Sequence, residues 1–138
     1  MAYEIVSLEI ADGVEALCLA VVGKPPFLEK LSCSPKTRDR AVLISRTANR
    51  IHDNGLDWAF QSETLKSIDD ELSLCELRIK GRIIRVMTYI HNKQIPIYLF
   101  DFDGHQGKTG KVSSNILKKG KQLSEEARKC MESEGSEW

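Results

Sequence analysis

Three apolar-rich runs follow one another with almost nothing between them: "LCELRIK" (74–80), "RIIRVMTYI" (82–90) and "IPIYLFDF" (95–102). Gly81 alone separates the first two, and "HNKQ" separates the second from the third. A parallel return would need a crossover of a dozen residues or more, so joints this short demand antiparallel neighbours. The chain is therefore expected to hold a three-stranded antiparallel meander. Side chains alternate between the faces of a strand. Glu76, Arg78 and Lys80 then share one face of the first strand, with Leu77 and Ile79 on the other. In the second strand Ile83, Arg85, Met87 and Tyr89 share a face, opposite Ile84, Val86 and Thr88. Pairing these two strands can bring Arg78, Lys80 and Arg85 onto one sheet face, with Tyr89 farther along it. Cations crowded in this way favour an anionic partner, and Glu76 can neutralise only part of the charge.

The remaining segments suggest what flanks this sheet. "YEIVSLEI" reads as a strand, with Val6, Leu8 and Ile10 on one side. Asp12-Gly13 is a hairpin signal that would return the chain through "VEALCLAVV". A short helix over 12–22 is the competing reading, since Val14, Leu17, Cys18 and Val21 also fit a helical stripe. "PFLEKLS" suits a short helix beginning at a proline. Ser34-Pro35 can open a long helix that Asn54-Gly55 closes, with Ala41, Ile44, Ala48 and Ile51 as its buried stripe. "LDWAFQSETLKSIDDEL" reads as a polar loop pinned by Trp58 and Phe60. From Ser113 or Ser114 a last helix carries Ile116, Gly120, Leu123, Ala127 and Cys130 on one face, with a kink or break expected at Gly120. The class is α+β: a small antiparallel sheet, the meander plus an N-terminal strand or hairpin, flanked by helices. One domain over 1–138 is expected, with 132–138 a frayed tail.

Apolar content of 41% and charged content of 29% fit a soluble protein, and no run approaches the length of a membrane span. Cys18, Cys33, Cys75 and Cys130 are far apart and form no C-x-x-C pair, which points to reduced thiols and the cytoplasm. Neither a metal nor any other cofactor is expected, and no membrane partner. The formal net charge of zero hides a strong asymmetry. Residues 1–77 carry 8 Lys/Arg against 13 Asp/Glu, whereas residues 78–121 carry 10 against 2. The last 17 residues hold 2 against 5. A basic block of this kind, much of it in strands, fits a polyanion such as RNA.

The stretch "DGHQGKTGK" (103–111) ends the third strand and resembles a nucleotide loop at first sight. A phosphate-cradling loop needs G-x-x-x-x-G-K-[ST], and the position five before Gly107 is Phe102, so that reading fails on spacing. What survives is a loop bringing His105, Lys108, Thr109 and Lys111 to the rim of the cationic face. Arginines can hold phosphates there, amines can stabilise developing charge, and His105 or Asp103 can move protons. Of the other histidines, His52 ends a helix and reads as structural, and His91 begins a turn and reads as solvated. RNA supplies its own nucleophile, the 2′-hydroxyl, so such a site could cleave it without a metal.

"LSLCELRIKGRIIRVMTYI", followed by "IYLFDFDGHQGKTGK" and a C-terminal helix, resembles the RelE/HigB-like toxins of bacterial toxin–antitoxin modules, closest to their phage-associated branch. Leu74, Glu76, Leu77 and Arg78 match its L-x-E-L-R strand; Arg85 and Tyr89 match the next; Phe102, Lys108, Thr109 and Lys111 match its basic loop. The resemblance covers Pro25 to about Met131. It departs at Gly104-His105, where a double lysine is usual, at Gly110, where proline is usual, and in a longer N-terminal strand region. It implies a RelE-like α+β fold and an endoribonuclease that cuts messenger RNA at the ribosome, held in check by a cognate antitoxin. The resemblance carries Arg85, Lys108 and Lys111 into the active site; with the residue reading above, Arg85, Lys108, His105 and Lys111 are the expected catalytic residues, and Arg78, Lys80, Arg82, Tyr89 and Thr109 the ones expected to hold RNA. A gyrase inhibitor of the related ParE type, or an interaction module without nuclease activity, are the alternatives.

Overall fold

A computed structural model of the chain describes residues 1–104 and 112–133. Asp12-Gly13 does make a hairpin: β1 (Tyr3–Ala11) and β2 (Val14–Val21) pair antiparallel, with Gly13 at φ 75° where an L side chain would be strained. The competing helix over 12–22 is absent. Helix α1 (Phe27–Ser32) follows Pro26 as expected. Helix α2 (Arg38–Asn54) starts three residues beyond the expected Ser34-Pro35 opening. The Thr37 hydroxyl ahead of it donates to the Leu31 carbonyl at 2.6 Å, fastening the end of α1 instead of capping α2. Gly55, at φ 92°, ends α2 with its amide on Ile51 at 2.8 Å.

The segment expected to be loop holds two elements, α3 (Leu56–Gln61) and β3 (Leu65–Asp69). Its polar composition is that of an edge strand with one solvated face; Leu65 is buried and pairs with Leu77 of β4 (Leu74–Arg78). Strand β5 (Ile84–His91) pairs with β4, and β6 (Ile95–Asp103) pairs with β5, all antiparallel. Thus β3 to β6 form an antiparallel run of four strands, not the expected three. The N-terminal hairpin joins this run through a parallel contact between β2 and β6, Leu17 opposite Ile97. The result is a six-stranded mixed sheet in the order β1-β2-β6-β5-β4-β3, larger than the small antiparallel sheet expected, with the α+β class retained.

Helices cover both faces. On one side α1, α2 and α3 pack over Cys18, Leu77, Val86 and Tyr98, and the expected stripe Ala41, Ile44, Ala48 and Ile51 is buried there. On the other side α4 (Ser114–Ser133) lies over Leu74, Met87, Tyr89 and Ile97. A bulge at Leu99, where Met87 and Thr88 face Phe100 and Tyr98, keeps Phe100 and Phe102 beneath α4. Ser113 caps α4 by accepting from the Ile116 amide at 3.3 Å. The helix runs unbroken through Gly120. A Cβ there would sit 2.9 Å from the Met87 sulfur, so glycine allows close packing on the sheet and the expected break does not occur. Cys18, Cys33 and Cys75 are free thiols, and the Cys130 thiol donates to the Tyr3 carbonyl at 3.4 Å. Among the described residues no helix is long and apolar enough to cross a membrane.

Candidate functional site

The β4–β5 register places Arg78 directly opposite Arg85, with Glu76 opposite Met87 and Leu74 opposite Tyr89. All six side chains belong to the face that α4 covers, but the cover is unequal. Met87 is fully buried beneath Gly120, whereas one pleat further along β5 the side chain of Arg85 keeps 15% of its surface exposed and that of Arg78 22%. Two guanidinium groups therefore stand side by side at the open end of the face.

One carboxylate serves both. Arg78 donates from Nε to Glu76 Oε1 at 2.7 Å, and Arg85 Nε lies 4.0 Å from the same oxygen. Glu76 itself is buried. Arg85 also donates from a terminal nitrogen to the carbonyls of Arg82, 2.8 Å, and Ile84, 3.1 Å, which fixes the plane of its guanidinium. Burial pulls the Arg85 pKa below its ordinary value; Glu76 opposes this and Arg78 adds to it. Arg85 stays charged at neutral pH, since an arginine begins so far above it. The second terminal nitrogen of Arg85 and both terminal nitrogens of Arg78 make no hydrogen bond within the described residues. An oxyanion is the group such a fork accepts, because paired N–H donors match two oxygens on one centre.

Gly104 closes this end. Its amide donates to Ile83 at 2.7 Å, and a Cβ on it would lie 3.1 Å from Arg85 Cγ and Nε. Any larger residue would press on Arg85. The chain leaves the arginine pair here; His105, Lys108, Thr109 and Lys111 lie outside the described residues.

Other expected residues fall elsewhere. Tyr89 is buried near the far end of α4, four residues or roughly 13 Å along the strand from Arg85, and its hydroxyl bonds His91 Nδ1 at 3.0 Å. Burial raises its pKa. It does not border the arginine pair, because α4 lies over it. His91, expected to be solvated, is buried in this contact. Asp103 turns to the opposite face, where Arg40 of α2 bonds it at 2.8 Å and Asp101 at 2.7 Å. Burial would lower the Arg40 pKa, but these two carboxylates outweigh it and raise it. Lys80 and Arg82 are exposed around the β4–β5 turn and join no ion pair among the described residues. His52 is exposed in the last turn of α2, at the mouth of a cavity of about 320 Å³ between α2 and the N-terminal hairpin.

Two residues went unread in the sequence. Lys66 on β3 stands opposite Glu76, in the segment taken for loop; the alternation of "LKSID" was its only local signal. Arg40 shared a helix with three other arginines, and nothing in the spacing singled it out. Among the described residues no three His, Cys, Asp or Glu side chains gather as a metal site would need. No family model, no curated protein and no solved structure matches the chain.

Proposed function

We propose that the protein is a toxin of a toxin–antitoxin pair, a RelE/HigB-like endoribonuclease acting on messenger RNA at the ribosome in the cytoplasm. The observation that carries this reading is the Arg78–Arg85 pair, two guanidinium groups opposed across β4 and β5 and sharing the single carboxylate Glu76. Such a pair grips a phosphate and stabilises the charge that builds on it as the 2′-hydroxyl attacks. Cleavage then needs a base for the 2′-hydroxyl and an acid for the leaving 5′-oxygen, and no metal. His105, Lys108 and Lys111 follow Gly104 directly in the chain and supply the groups for that proton traffic, with Thr109 and the exposed Lys80 and Arg82 holding neighbouring phosphates. The cognate antitoxin is proposed as an acidic segment lying over the arginine pair.

Primer extension on cellular messages after induction tests this. The wild-type chain should generate discrete new 5′ ends within coding regions and halt translation. Arg85→Ala should lower cleavage at least a hundredfold, the scale of losing one anion-stabilising donor set. Arrested translation with intact messages would turn the assignment to a binding inhibitor. Undiminished cleavage in Arg85→Ala would move the active site elsewhere.

A further inference from the structure

The arginine pair also carries information about which phosphate it takes. Resting on the reading above, we propose that Glu76 is a specificity-determining residue: it tunes the site to the single negative charge of an internal phosphodiester over the double charge of a terminal phosphomonoester.

Glu76 cannot leave the pair. It sits on β4 between Lys66 of β3 and the fully buried Met87 of β5, and its side chain is only 5% exposed. Its oxygen is bonded to Arg78 at 2.7 Å and lies 4.0 Å from Arg85. Two guanidinium groups and one carboxylate leave one positive charge in a partly dehydrated place. Lys66, Lys80 and Arg82 are exposed, so water and salt weaken their contribution without removing it. Attraction to a bound anion rises in proportion to its charge, whereas the cost of stripping water from it rises as the square. At a site of charge +1 the second negative charge doubles the attraction and quadruples the dehydration cost, which favours the diester. Removing the carboxylate charge doubles the attraction for both ligands, and the dianion gains more.

This scaling makes the ratio of two affinities the quantity to read. The probes are an uncleavable 2′-O-methylated UpA dinucleotide, carrying one diester, and uridine 3′-monophosphate at pH 7.5, where the second phosphate ionisation, near pH 6, is complete. Binding of each to the full chain is followed by titration at fixed low salt. The wild type should prefer the dinucleotide. Glu76→Gln keeps an acceptor for Arg78 and removes the charge, and it should shift the affinity ratio toward the monophosphate by roughly tenfold. Lys66→Glu, on the exposed edge strand, puts a negative charge opposite Glu76 and should shift the ratio the other way. It also answers the question if Glu76→Gln does not fold. A ratio that stays fixed in the variants that fold, or moves in the same direction in both, overturns the inference while leaving the phosphate site standing. A wild-type chain that binds neither probe overturns both.

Discussion

The two ends of the sheet face beneath α4 differ in outcome although their sequences share one pattern. Tyr89 and Arg85 stand on the same strand and the same face, two pleats apart. Tyr89 is sealed under the helix and bonded to His91. Arg85 stays partly exposed beside a second arginine. Alternation assigns a side chain to a face; only the path of the covering helix decides whether that face is core or surface. Gly120 on Met87 marks where close cover is made, and one pleat beyond it the same face turns charged.

Three substitutions sharpen or break this contrast. The largest effect belongs to Glu76→Ala, which strands two partly buried guanidinium groups. It should lower stability by about 3 kcal/mol in denaturant unfolding, and adding Arg78→Ala should cost less than the sum of the single changes. An additive double variant would mean that Glu76 does not join the two arginines. Next comes Gly120→Leu, which drives a side chain into Met87. A loss of about 2 kcal/mol is expected, and a neutral result would show that α4 packs less closely on the sheet than its glycine requires. Smallest is Tyr89→Phe, which removes the bond to His91 and should cost about 1 kcal/mol with RNA cleavage unchanged. Cleavage lost in a stable Tyr89→Phe chain would place the covered end inside the active site.

Much of the architecture was legible because it is local. Asp12-Gly13 set a turn, Gly55 ended a helix, and Ala41, Ile44, Ala48 and Ile51 marked a buried stripe at helical spacing. The sharing of one face by Arg78 and Arg85 was also readable, since strand alternation and a short turn fix it. What escaped depends on partners far away in the chain. β3 is a polar edge strand whose pairing with β4 exists only in the folded sheet. The parallel contact of β2 with β6 leaves no periodic trace. Tyr89 and His91 carry polar atoms, yet both are interior, Tyr89 beneath α4 and His91 bonded to its hydroxyl. Asp103 lies on the side of Arg40 because a bulge at Leu99 shifts the alternation of β6, and neither neighbouring residue type signals an insertion.

The seam between β2 and β6 bears on how the chain reaches this state. Leu17 and Ile97 meet across 80 positions, so the N-terminal hairpin has no inner neighbour until most of the protein has been made. At a ribosomal pace of about 5–20 residues per second that wait lasts roughly 4–16 s. Through it the hairpin carries two unsatisfied edges, and "VEALCLAV" is apolar enough to pair with the wrong strand. Synthesis speed and crowding should therefore govern yield of this chain more than its final stability does.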